Sequence, residues 1–243
     1  MILRLMACCV VLLSLAAGIG HAQVRPSEKR YNADSAKVFA TPPFSKRFTS
    51  SVNIFTSGWT APPPGIAVET FSPGYSVYVQ YKQPVAHPYV TFTVGAGLAY
   101  TDYRFNGRLF YTENRDSTYF EPMPATDYKR NKMSLVFLDV PLELRLATRA
   151  KNGGAGWYLA PGFTVGVLVN DYIKTTSEDQ HGNPTKSKLY YTRNLMPHRY
   201  GATLRAGKGN FGLYGYYGLS ELFEEGRGFG TNFYHVGITL GGS

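Results

Sequence analysis

Residues 135–169 read LVFLDVPLELRLATRAKNGGAGWYLAPGFTVGVLV, two apolar segments joined by a glycine-containing turn. Within each segment hydrophobic side chains recur at every second position, and the positions between them include Gly, Thr, Pro and charged residues. Because successive side chains of a β-strand point to opposite faces, each segment is predicted to be a strand with one apolar face. Both segments reach the ~9–11 residues that a tilted strand needs to cross a bilayer. A long hairpin of this kind is the repeating unit of a transmembrane barrel.

The same alternation recurs along the chain. It predicts eight strands, over residues 48–60, 75–82, 89–105, 135–147, 157–169, 199–208, 211–219 and 232–241. The connections after the second, fourth and sixth strands are short (QPVAHP, TRAKNGG and GKGN), whereas the other connections are long and polar, including 106–131 and 171–194. Short periplasmic turns and long outer loops are the layout of a bacterial outer-membrane barrel. We therefore predict an all-β fold, an eight-stranded antiparallel up-and-down transmembrane β-barrel with both chain ends in the periplasm.

The first 22 residues have the features of a secretory signal peptide. Arg4 precedes an apolar run of about 15 residues, and Gly20-His21-Ala22 forms a small-x-small cleavage site. The alternative, a membrane anchor, needs a longer run of ~18–20 residues. The predicted organisation is a signal peptide (1–22), a periplasmic leader (23–47) and an outer-membrane barrel domain (48–243). Cys8 and Cys9 lie in the signal peptide, so the mature chain is expected to have no disulfide.

The mature chain is basic. Removal of Arg4 with the signal peptide leaves 24 Lys and Arg against 16 Asp and Glu, a formal charge of +8. These charges are scattered and form no basic helix, so a nucleic-acid partner is not expected. On an exported protein they favour anionic outer-membrane lipids, including lipopolysaccharide, as partners.

Alternation alone does not say which face meets lipid. A soluble lipocalin-like barrel would turn its apolar face inward and bind a small apolar ligand there. Three features favour a lipid-facing apolar side. The more polar face carries mid-strand glycines and opposite charges, and aromatic residues lie near strand ends, as in an interfacial girdle (Tyr81, Tyr100, Trp157 and Tyr234).

The charges on the more polar face form the candidate site. Asp139, Glu143 and Arg145 lie on one predicted strand, and Arg199 and Arg205 lie on another. In a barrel these side chains would converge as an interior polar network. An eight-stranded barrel is only wide enough to be filled by its own side chains. The network is therefore interpreted as a structural plug of paired charges, with a narrow polar path or a binding site as the alternative.

Three short segments resemble the small outer-membrane β-barrel family of Bacteroidota that includes the PorT-like proteins. They are DVPLEL (139–144), YGLSELF (217–223) and VGITLG (236–241), and the resemblance extends over about residues 75–241. The sequence departs from the family pattern at its end, which is Leu-Gly-Gly-Ser and not a terminal aromatic residue. The resemblance implies the barrel fold and a location in the cell outer membrane of a Gram-negative bacterium. Some PorT-like members are linked to protein secretion.

No enzymatic motif is found, and no metal or cofactor is predicted. The expected function is that of a monomeric barrel with a structural, interaction or secretion-accessory role. Any protein partner would bind its outer loops, above all the aromatic-rich loop 103–128. The alternative is a lipid-modifying enzyme that uses His198 or His235, with Ser220, Glu221 and Glu224 near the same rim.

Overall fold

A computed structural model describes residues 47–85, 87–114, 116–122, 128–148, 155–178, 184–190 and 192–241. This part of the chain contains eleven β-strands. They are β1 (Phe48–Trp59), β2 (Pro73–Val85), β3 (His87–Phe105), β4 (Gly107–Tyr111), β5 (Thr118–Pro122), β6 (Tyr128–Ala147), β7 (Trp157–Glu178), β8 (Pro184–Tyr190), β9 (His198–Lys208), β10 (Phe211–Gly218) and β11 (Phe233–Gly241). The predicted signal peptide, and the predicted leader except for Arg47, lie outside the described residues.

Eight of the strands form a closed antiparallel barrel. Their order is β1-β2-β3-β6-β7-β9-β10-β11, and β11 pairs with β1 to complete the circle. These eight strands correspond to the eight predicted from the sequence, so the predicted fold class is confirmed. The first strand's register is also defined, because Val52 lies opposite both Leu240 of β11 and Val77 of β2.

The two ends of the barrel differ. The short-turn end carries the connections β2–β3, β6–β7 and β9–β10, together with the start of β1 and the end of β11. The long-loop end carries the other four connections, two of which contain additional strands: a β4–β5 hairpin follows β3, and β8 pairs with the outer part of β7.

The prediction that 106–131 and 171–194 are polar loops was therefore wrong in part, because both contain strand residues. The β6–β7 ladder continues past the apolar segments to Tyr128 and Ser177. Backbone hydrogen bonding does not depend on side-chain polarity, so a polar strand beyond the bilayer leaves no hydrophobic alternation in the sequence.

The wall has an apolar outside and a more polar inside. Outward side chains such as Val79, Leu213 and Val236 are 57%, 66% and 58% exposed, whereas inward Ser76, Asp139 and Thr239 are fully buried. This arrangement is the reverse of a lipocalin-like cup, in which the apolar face lines the interior. Among the described residues, no helix is long and apolar enough to cross a membrane.

The interior is filled in two zones. The polar zone occupies the middle of the barrel and its short-turn half, and its buried side chains include Asn53, Gln80, Asp139, Glu143, Arg199 and Arg205. The aromatic plug fills the long-loop half, and its buried side chains include Trp59, Tyr103, Phe105, Phe120, Phe223 and Phe233. Phe120 of β5 packs on Trp59 and Phe105, with ring centroids 5.6 and 5.3 Å apart, so the β4–β5 hairpin contributes directly to the plug.

Candidate functional site in the barrel interior

A buried ion pair joins Asp139 of β6 to Arg199 of β9. The carboxylate accepts two hydrogen bonds, Nη2 to Oδ2 at 2.7 Å and Nε to Oδ1 at 3.2 Å. The intervening strand β7 places Gly166 directly between the two residues. A Cβ atom at position 166 would clash with Asp139 Oδ1. The glycine therefore makes the space in which charges from β6 and β9 meet across β7.

A second buried pair lies nearer the short-turn end. Arg205 of β9 donates to Glu143 of β6 through both Nε and Nη2. Arg205 Nη2 also donates to Gln80 Oε1 at 3.1 Å, and Nη1 donates to Thr239 Oγ1 at 3.4 Å. Gly162 of β7 lies opposite Glu143, and a Cβ atom there would come within 2.7 Å of Glu143 Cγ. A β7 glycine thus faces the carboxylate in both pairs, but Gly162 lies opposite Thr203 of β9, and Arg205 lies opposite Ala160.

Arg145 is placed differently from the other four predicted network residues. It is only partly buried, and its guanidinium carbon lies 3.8 Å from the centroid of the Tyr158 ring. A guanidinium over an aromatic face gains a cation–π attraction. The structure thus brings four of the five predicted residues together as two ion pairs and places Arg145 on an aromatic ring.

Aromatic neighbours complete the setting of the Asp139–Arg199 pair. Tyr78 donates its hydroxyl hydrogen to Asp139 Oδ2 at 2.8 Å. The Arg199 guanidinium lies 4.0 Å from the Phe137 ring centroid and 5.4 Å from that of Tyr216. The pair therefore lies at the boundary between the polar zone and the aromatic plug.

Sequence reasoning did not include these partners, nor Gln80 and Thr239. The sequence pattern places each of these residues on the inward face of its strand. Many other residues share that face, so the pattern did not identify these partners. Arg199 and Arg205 neutralise both carboxylates, so the arrangement can hold the strands in register and fill the interior.

The histidines and hydroxyls considered for catalysis lie apart. His235 is buried, and its Nδ1 is 2.7 Å from Ser57 Oγ, whereas His198 is exposed. Ser220 Oγ accepts the backbone N–H of Tyr200 at 3.2 Å, and Glu224 pairs with Arg227. The hydroxyl beside His235 is therefore that of Ser57 and not that of Ser220. Within the described ranges, no cluster of three or more His, Cys, Asp or Glu side chains could hold a metal ion.

A closed barrel with a lipid-suited outer face and paired charges inside defines a transmembrane β-barrel protein. Comparison with protein-family models agrees, since residues 28–224 match the model described as "Outer membrane protein beta-barrel domain". The chain belongs to this family and is an outer-membrane barrel protein. A search of curated proteins found no match.

Proposed function

We propose that this chain is a non-enzymatic, monomeric integral protein of the outer membrane with a structural, interaction or secretion-accessory role at its long-loop end. One observation carries the proposal. The apolar side chains of the barrel wall point outward, whereas Asp139, Glu143, Arg199 and Arg205 point inward and neutralise one another as two pairs. The outward side chains of such a wall can contact lipid, and its inward charged groups are neutralised within the protein.

The filled interior supports a role at the surface. The carboxylates of Asp139 and Glu143 are occupied by guanidinium groups, and rings from several strands fill the long-loop half. A barrel of this size has no room left for a general diffusion pore. The places left for a partner are the loops at the long-loop end, which we assign to the cell exterior.

The resemblance to PorT-like proteins is the basis for the finer part of the proposal. It supports an origin in Bacteroidota, delivery through the predicted signal peptide and an accessory role in secretion. Its three segments all lie on barrel strands or at their ends: Asp139 to Leu144 on β6, Tyr217 to Phe223 from the end of β10 into the following loop, and Val236 to Gly241 on β11. The resemblance therefore lies mainly in the barrel strands and does not identify a partner for the loops.

The loop expected to contact a partner divides into two parts. Tyr103, Phe105 and Phe120 are buried in the aromatic plug, so they are unavailable to a partner. On the opposite face of the hairpin, Phe110 and Tyr119 stack with ring centroids 5.7 Å apart, and Tyr119 is 43% exposed. This stacked pair is the part of the loop that supports a contact surface.

Location is tested by envelope fractionation, with the membrane fraction run on gels before and after boiling. We expect the protein in the outer membrane and a change of mobility on boiling, because a barrel stays folded in detergent until heated. Recovery in a soluble fraction would contradict the proposal.

The loop role is tested by crosslinking capture in cells. The F110S/Y119S variant should keep the heat-dependent mobility and lose captured partners, whereas F71S, which removes an exposed ring from the β1–β2 connection, should keep both. Unchanged capture by F110S/Y119S would contradict a role for the hairpin.

The lipid profile of cells carrying H198A should match that of cells with the unmodified protein, and a changed profile would instead favour the lipid-modifying enzyme.

A further inference from the structure

Four cationic residues form a continuous row on the outer face near the long-loop end. Arg104 of β3 is opposite Lys132 of β6, Lys132 is opposite Lys174 of β7, and Lys174 is opposite Lys188 of β8. Directly opposed residues share one face of a sheet. With strands about 4.8 Å apart, this cation row is roughly 14 Å long.

The cation row has little compensating charge. Like charges opposite one another on neighbouring strands are destabilising. Lys132 binds Asp102 Oδ2 at 2.7 Å, and Asp102 also accepts from the Tyr100 hydroxyl at 2.6 Å and from Ser134. Arg104, Lys174 and Lys188 form no ion pair with any other described residue. An external anion would therefore stabilise this face.

The level of the cation row is marked by tyrosines. Tyr75, Tyr100, Tyr172 and Tyr190 form a belt on the same outer face. The Tyr75 and Tyr100 rings stack at 5.3 Å, the Tyr100 and Tyr172 hydroxyls are 3.1 Å apart, and the Tyr172 and Tyr190 rings are 6.0 Å apart. Outward tyrosines mark the interface between hydrocarbon and headgroups. The cation row lies two residues beyond this belt on β7 and β8, on the side away from the apolar wall.

Tyr172 connects the belt to the cation row. The Nζ atoms of Lys132 and Lys188 lie 5.6 and 5.7 Å from the centroid of its ring. Both ammonium groups are therefore held at the level just above the belt. A phosphate there would meet the cations on one side and the tyrosine belt below, with the apolar wall beyond the belt.

We infer that the cation row binds the phosphate groups of an anionic lipid of the outer leaflet. This inference rests on the proposed function, since it requires the barrel in a bilayer with its long-loop end outside. Lipid is favoured over a soluble phosphate because the apolar wall begins below the tyrosine belt and continues toward the short-turn end. Acyl chains would pack on Leu138, Val140 and Val167, which are 43–49% exposed, while the phosphates contact the cations.

The test compares binding of defined lipids by the purified full chain in zwitterionic detergent with EDTA present. The probes are bisphosphorylated lipid A and the same lipid after dephosphorylation, with bound lipid counted by native mass spectrometry. We expect the phosphorylated form to bind preferentially and K174Q/K188Q to bind it about thirty-fold more weakly, at about 1 kcal/mol for each interfacial cation. R193Q/R227Q, which removes two exposed charges from loops at the same end, should bind as the unmodified chain does.

Three results would overturn the inference: equal losses in both double variants, equal binding of the two lipids, or full displacement of the lipid by inorganic pyrophosphate at the same phosphate concentration. The last result would indicate a soluble anion. Heat-dependent mobility is recorded on the same samples. If the unmodified chain shows no heat-dependent change of mobility, both the proposed function and this inference are contradicted. If the barrel is folded but does not prefer the phosphorylated lipid, only this inference is contradicted.

Discussion

The polar zone and the aromatic plug fill the same barrel by different means. In the polar zone, Asp139 and Glu143 each have a specific arginine partner at hydrogen-bonding distance. In the aromatic plug, Trp59 contacts four other rings at centroid distances of 5.2–5.7 Å and in varied orientations. The first zone depends on exact pairing and the second on filled volume.

The difference follows from the surroundings of each zone. The polar zone lies behind the lipid-facing wall, where a buried charge without a partner is costly. The aromatic plug lies where loops cover the barrel end, and there apolar burial from water acts as in a soluble core. We expect the polar zone to respond to loss of a partner and the plug to respond to loss of volume.

The largest effect is expected on breaking the Asp139–Arg199 pair. D139A leaves the Arg199 guanidinium buried without its carboxylate, and removing one partner of such a pair costs about 3–5 kcal/mol of unfolding free energy. The variant Y78F/D139L/R199M removes the carboxylate together with its arginine and tyrosine partners, so none of these polar groups is left buried without a partner. It should therefore recover most of the stability that D139A loses. Urea unfolding in lipid vesicles, followed by the fluorescence of Trp59 and Trp157, measures both. If the triple variant were as unstable as D139A, the pairing argument would fail.

A slightly smaller effect is expected in the plug. Phe233 is buried against the rings of Tyr216 and Tyr103, with centroids 5.7 and 6.5 Å away. F233A should lower the unfolding free energy by about 3 kcal/mol because it leaves a cavity, and F233L should lose about half as much. The same urea titration checks the order. Equal losses for leucine and alanine would show that the plug depends on ring contacts and not on volume.

The next effect concerns the glycines between charged strands. G166A places a methyl group against Asp139 Oδ1 and should displace the carboxylate from Arg199, at a cost of about 2 kcal/mol. Gly215, on the outer face of β10, is the matched control. The nearest atom to a Cβ there is 3.9 Å away, so G215A should change stability by less than about 0.5 kcal/mol. Similar values for the two variants would argue against the role given to Gly166.

Sequence alternation was sufficient to predict the eight barrel strands, because a two-residue period is visible wherever one face meets lipid. It could not assign partners. Asp139 pairs with Arg199 and not with Arg205 because the barrel stagger sets Gly166 beside both Asp139 and Arg199. Stagger depends on closure of the whole sheet, which no local pattern records.

The cation row could not be predicted from the sequence for a further reason. On β7, Val165, Val167 and Val169 face outward, and extending that alternation would turn Tyr172 and Lys174 inward. The irregularity at Val136/Phe137 sets Asn170 opposite Val136 and Leu168 opposite Phe137, so Val169 is an extra residue. A single inserted residue exchanges the two faces of the strand. Tyr172 and Lys174 therefore face outward, beside residues that are distant in sequence.

The smallest effect sets the lower limit of the comparison. Glu224 and Arg227 form an exposed ion pair at 3.0 Å in the loop between β10 and β11, with side chains 37% and 58% exposed. R227Q removes the charge without leaving a buried partner, and water screens the remaining carboxylate. The expected change in unfolding free energy is below about 0.5 kcal/mol, several-fold less than for D139A. Raising the salt concentration should leave the difference between R227Q and D139A almost unchanged, since the buried pair is shielded from ions. A loss for R227Q comparable to that of D139A would mean that charge number, and not burial, sets the stability of this barrel.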